Sequence, residues 1–205
     1  METVQVSPQR GFADPVHDAN AAFRAIMDAM ARPGTKQVLS SPAHVPDALH
    51  DAAASVLLSL TDFDTTVFLE PALRNDPALK EFIAFNCGAP LTVQADLADF
   101  AFAGYGAALP DVSAFAQGTA EYPDRSTTLV LALPEGDESG AAVILRGPGI
   151  KGHRALQLPG IDDGFWKSLI ANRRGYPLGV DVIFTRGREI TCLPRSTRIE
   201  LASEA

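Results

Sequence analysis

Apolar and polar positions along this chain follow two rhythms, one of helical spacing and one of short β-branched or aliphatic runs. Asp14-Pro15 opens the clearest helical stretch, with an aspartate suited to the cap and a proline suited to the first helical position. Phe23, Ile26, Met27 and Met30 then recur at helical spacing, predicting one apolar face, and Arg32-Pro33-Gly34 stops the helix. Lys36 to Leu39 reads as a short strand, Asp47 to Leu60 as a second helix and Thr65 to Leu69 as a strand. Asn75-Asp76-Pro77 repeats the cap-plus-proline signal and predicts a helix to about Asn86. Phe100 to Ala103 and Thr127 to Leu133 follow as strands, with a short helix near Pro110 to Phe115 between them. Beyond the polar turn at Pro134 to Gly140, strands are predicted at Ala141 to Leu145 and Ala155 to Leu158, then a helix at Asp162 to Arg173. Val180 to Thr185 and Glu189 to Leu193 flank Arg186-Gly187-Arg188 as a hairpin, and Arg198 to Leu201 adds a last strand.

Helices and strands that alternate early, followed by a late hairpin, predict an α/β domain of three layers, α/β/α, with a mixed central sheet covered by helices on both sides. The whole chain, 1–205, reads as one domain, since no repeat and no linker divides it. No apolar run approaches the roughly 20 residues of a membrane span. The opening METVQVSPQRGF lacks the apolar core of a signal peptide, so the expected location is cytoplasmic. Cys87 and Cys192 stand alone and are expected to be buried, reduced thiols.

Charge changes the picture more than composition does. Residues 1–145 hold 7 Lys/Arg against 19 Asp/Glu, whereas residues 146–198 hold 10 against 4, within a chain of net charge −8. An acidic protein of this kind is not expected to bind nucleic acid in general, because such affinity comes mostly from neutralised phosphates. The local positive segment fits a small anion or an acidic partner surface.

That segment contains the most pointed motif, Arg146 to Arg154, reading RGPGIKGHR directly after an apolar strand. Glycines admit positive φ and let N–H groups approach an anion closely. The candidate anion-binding set is Gly147, Gly149, Lys151, His153 and Arg154, joined by Arg195 and Arg198 from PRSTR. Paired guanidinium donors suit phosphate or carboxylate oxygens. The same residues equally suit a tight solvated turn and a charged edge strand. The spacing of a P-loop, a dinucleotide fingerprint or a nucleophile elbow is absent. His17, His44 and His50 share no metal-ligand spacing, and the acidic cluster Glu135, Asp137 and Glu138 reads as a solvated loop. No catalytic residue, metal or cofactor is predicted from these patterns.

GFADPVHDANAAFRAIMDAMARPG, LRGPGI, PLGVDVIF and LPRSTRI together resemble the H-subunit family of the bacterial carbon–phosphorus lyase system, PhnH. The match falls on Gly11 to Gly34, Glu121 to Thr128, Leu145 to Ile150 and Pro177 to Ile199, in the family's order. It departs at Asn20, where the family often has Gln, and at Arg146, where it often has Ser. The resemblance implies a fold like the large domain of pyridoxal-phosphate-dependent transferases, commonly paired as a homodimer. Among Lys36, Lys80, Lys151 and Lys167, none has a context matching the lysine that pyridoxal phosphate needs, so that cofactor is not expected. The resemblance further implies work beside G, I, J and L subunits. In that system methylphosphonate is installed on the ribose of ATP and adenine is released, giving ribose 1-methylphosphonate 5-triphosphate, which the J subunit later cleaves. The implied role is architectural or ligand-supporting, with bond breaking left to another subunit. Direct phosphonate or nucleotide binding is the alternative.

Overall fold

The computed structural model describes residues 9–104, 108–136 and 139–202. Helix α1 (Pro15–Ala31) leads into strand β1 (Lys36–Val38), then α2 (Asp51–Leu60), β2 (Val67–Leu69), the short α3 (Pro71–Arg74) and α4 (Pro77–Asn86). Strands β3 (Leu91–Thr92), β4 (Phe100–Ala103), β5 (Thr128–Ala132), β6 (Ala142–Arg146) and β7 (Arg154–Gln157) follow. Helix α5 (Asp163–Arg174) and strands β8 (Asp181–Arg186), β9 (Glu189–Leu193) and β10 (Arg198–Leu201) complete the chain. The central sheet has seven strands in the order β1-β9-β8-β5-β4-β2-β3. Strands β2, β3, β4, β5 and β8 run parallel, while β9 and β1 extend the sheet antiparallel, so it is mixed as predicted.

The local reasons are ordinary ones. Asp14 caps α1 by accepting hydrogen bonds from the backbone N–H groups of Val16 (3.2 Å) and His17 (3.1 Å). Those His17 contacts, backbone first and ring second, hold the Asp14 carboxyl below its usual 3.8. Asp76 caps α4 in the same way through Ala78 and Leu79. Strand pairs split their side chains between two cores. Leu129, Leu131, Val182 and Phe184 face one side. Val130 and Ile183 face the other, where α1, α2 and α4 pack through Ile26, Leu57 and Leu79.

Several expectations need correcting. Both faces carry helix, but unequally: one is layered by α1, α2 and α4, and the other by α5 together with a separate antiparallel sheet, β10-β6-β7, which the sequence reading did not foresee. The small sheet's strands β6 and β7, with α5, occupy the crossover between β5 and β8, the kind of long connection that parallel neighbours require, while β10 joins them from after β9. Strand β6 alternates exposed Ala142 and Arg146 and half-buried Ile144 with buried Val143 and Leu145, so only one of its faces is fully buried. In α1 the buried line is Ala22, Ile26 and Ala29, leaving Phe23 at 44% and Met27 at 50% exposure. Small alanines let the helix lie close, which rotates the larger side chains outward. Helix α2 begins at Asp51 because the backbone N–H of Leu49 turns back to Pro46 O (2.9 Å). Cys87 is half-buried rather than buried. Cys192 is buried, and loss of water pushes its thiol up to about 12. Among the described residues no helix is long and apolar enough to cross a membrane. Residues 1–8 of the opening segment, and Asp137 and Glu138 of the acidic turn, lie outside the described residues.

Candidate functional site

Strand β6 delivers the chain into the basic turn, where Gly147 and Gly149 answer to protein backbone. Gly147 has φ +135°, and a Cβ on it would lie 3.3 Å from Ser196 O. Gly149 has φ +78°, and a Cβ there would fall 2.0 Å from Ala31 O. Close approach to the end of α1 therefore explains Gly149 without any ligand. Gly152, at φ +74°, has open space around it. Arg154 reaches across from β7 and donates to Arg32 O (3.3 Å) and to Pro33 O, in the turn that follows α1. Lys151 and His153 are exposed, and no hydrogen bond or ion pair engages their side chains among the described residues. Gly149→Ala should displace this turn, since a left-handed φ alone costs roughly 1–2 kcal/mol for an L side chain and the carbonyl clash adds to it. Chemical denaturation checks the loss of stability, and proteolysis within 147–153 should quicken.

Arg195 is equally committed. Its backbone N–H donates to Asp181 Oδ1 (2.6 Å), Nε and Nη2 span both carboxylate oxygens (3.2 and 2.7 Å), and Nη1 donates to Pro123 O (2.5 Å). The two side chains keep only 16% and 19% exposure, so the pair is well shielded from water. Arg198 is exposed on β10, directly across the ladder from Arg146, which pairs with Glu200 at 3.5 Å. Arg173, in the last turn of α5, donates from Nε to Ser196 O (3.1 Å) and stacks on Tyr176. The structure thus brings Gly147, at the head of the turn, against residues 196–198 and Gly149 against the end of α1, while Arg154 and Arg195 are spent on protein acceptors. Lys151, His153 and Arg198 are left without such partners among the described residues. Beside Arg195 lies a shallow depression of about 470 Å³ lined by Pro123, Asp124, Tyr176, Pro177 and Asp181.

A better-formed cavity, about 340 Å³, sits at the other end of the strands, where β2, β4 and β5 finish. Open α/β sheets place ligands at the carboxyl ends of their strands. Asp47, His50 and Glu70 line it with Leu49, Leu73 and Phe102. The sequence reading set His50 in a helix and did not consider Glu70. The signal that could have found them is the position of Glu70-Pro71 and Gly104 immediately after two parallel strands. Among the described residues no group of three or more His, Cys, Asp or Glu side chains could hold a metal ion.

The sequence model of the family described as "Bacterial phosphonate metabolism protein (PhnH)" matches residues 10–200. This chain belongs to the PhnH family. It is 46% identical over 189 residues to alpha-D-ribose 1-methylphosphonate 5-triphosphate synthase subunit PhnH of Rhizobium meliloti (strain 1021), covering 92% of this chain and 94% of that protein. Over 84 residues it is 40% identical to HtxG of Stutzerimonas stutzeri, whose name carries the words C-P lyase subunit protein, covering 41% of this chain and 43% of that one. The segments that carry the PhnH resemblance are joints of the fold. Gly11 to Gly34 meets Leu145 to Ile150 where Gly149 abuts Ala31. Glu121 to Thr128 meets Pro177 to Ile199 where Arg195 ties Asp181 to Pro123.

Proposed function

We propose that this PhnH-family chain is the H subunit of an assembly that makes alpha-D-ribose 1-methylphosphonate 5-triphosphate, acting as an architectural and docking element. Its relative's name supplies the reaction. The observation that carries the docking role is the internal commitment of Arg154 and Arg195, the two best anion clamps in the basic segment. The proposal includes G, I, J and L subunits as partners, a homodimer when the chain is alone, and one cytoplasmic domain shaped like the large domain of pyridoxal-phosphate transferases but without that cofactor. Exposed cations steer association and set its salt dependence. Lys151→Glu with Arg198→Glu should therefore weaken capture of the co-expressed G, I and J subunits by about tenfold, a cost near 1.4 kcal/mol. Undiminished pull-down would overturn the docking role of this surface.

A direct ligand-binding reading rests on Lys151, His153 and Arg198, which remain unpaired among the described residues, with the Gly147 and Gly149 turn between them. It predicts that ATP or methylphosphonate binds the isolated chain with an affinity near 10 μM, about 6.8 kcal/mol, by calorimetry. No heat at millimolar ligand would discard it.

A further inference from the structure

The cavity at the ends of β2, β4 and β5 has a chemistry opposite to that of the basic segment. Its apolar walls come from Leu49, Leu73 and Phe102, and its polar groups are Asp47, His50 and Glu70. No lysine or arginine lines it. Glu70 is anchored through its main chain, its N–H donating to Phe102 O (3.0 Å) and its carbonyl accepting from Arg74 N–H (2.8 Å). Gly104 forms the wall beside its carboxylate, whose Oε1 lies 3.4 Å from where a Cβ would project. No hydrogen bond or ion pair engages that carboxylate among the described residues. His50 Nδ1 is buried without a hydrogen-bond partner. Closed to solvent, that nitrogen is out of a ligand's reach, so the partnerless acidic group left on the cavity wall is the Glu70 carboxylate.

We propose that this cavity is a binding site for a small organic ammonium compound. Its charged nitrogen is held by the Glu70 carboxylate with Asp47 nearby, and its apolar body lies against Leu49, Leu73 and Phe102. Two full negative charges outweigh the roughly half positive charge that the start of α2 contributes. Phosphate and phosphonate anions are excluded for the same reason. A volume of about 340 Å³ lies in the range of small-molecule sites. The assignment is independent of the subunit's docking role and is measured on the chain without partners.

Calorimetry of the full chain with 2-phenylethylammonium, phenylacetate and inorganic phosphate tests it. The amine is expected to bind saturably with Kd on the order of 100 μM, and the two anions not to compete with it. Glu70→Gln should weaken the amine at least tenfold without lowering Tm, while Lys151→Glu leaves it unchanged. Should Glu70→Gln fail to fold, Asp47→Asn provides the reading, with an expected loss of about threefold. Absence of amine binding at 10 mM (on the order of 100 times the expected Kd), displacement by phenylacetate, or amine affinity indifferent to both carboxylates would overturn the assignment.

Discussion

Arg195→Ala should lower the stability of this protein by about 3 kcal/mol, because it strands Asp181 in a site built around a guanidinium. Breaking a fully buried pair typically costs roughly 3–5 kcal/mol, and the residual exposure of 16% and 19% places this one toward the lower end. Asp181 would keep the Arg195 backbone N–H but lose the three hydrogen bonds that Nε and Nη2 donate. Pro123 O would lose its donor as well, so the segment around Glu121 to Thr128 should loosen with it. For a domain of this size the expected fall in Tm is roughly 6–12 °C. Arg195→Lys should recover only part of that, since one ammonium cannot span both carboxylate oxygens and the Pro123 carbonyl together. Thermal unfolding of the two variants reads the difference directly. A lysine variant as stable as the parent would show that charge alone, not the planar fork, holds the joint.

Trp166→Ala is expected to cost at least as much, about 3–5 kcal/mol. The indole is fully buried at 0% exposure and packs on Phe184 at a centroid distance of 6.1 Å. Its Nε1–H donates to Ala141 O (3.0 Å) at the start of β6, so one side chain joins α5, the central sheet and the small sheet. Truncation leaves a cavity among three elements that cannot all close on it, and it leaves the Ala141 carbonyl unsatisfied. Trp166→Phe separates the two losses. It retains most of the apolar contact and should cost only about 1–2 kcal/mol, the share belonging to the hydrogen bond and the missing ring volume. Equilibrium denaturation of both variants measures that split.

Most elements were legible because their signals are local. Asp14-Pro15, Asp76-Pro77 and Asp162 cap helices where the sequence predicts them, and β4, β5, β8, β9 and β10 fall within about a residue of the expected ranges. The missed pieces, α3 and β3, span four and two residues, too short to show a period. The outer face was misread for another reason. An apolar run such as Ala142 to Leu145 looks alike whether it joins the central sheet or forms a second one, because pairing partners are chosen by contacts distant in sequence.

The candidate site divides along the same line. Composition placed the cations in the final third of the chain, and glycine at 147 and 149 signalled positive φ, as observed. What those groups touch was decided only by tertiary packing. Arg154 turns to the end of α1, more than a hundred residues away, and Arg195 turns to Asp181 and Pro123. The cavity holding His50 and Glu70 had only Glu70-Pro71 and Gly104 after two strands to signal it, because its walls come from the ends of three strands whose adjacency no local pattern encodes. The chain by itself therefore determined caps, breakers, strand content, charge asymmetry and family membership, all carried by neighbouring residues. Only the folded structure decided which cations are consumed and which side chains share a cavity, since guanidinium and carboxylate groups pair by distance in space.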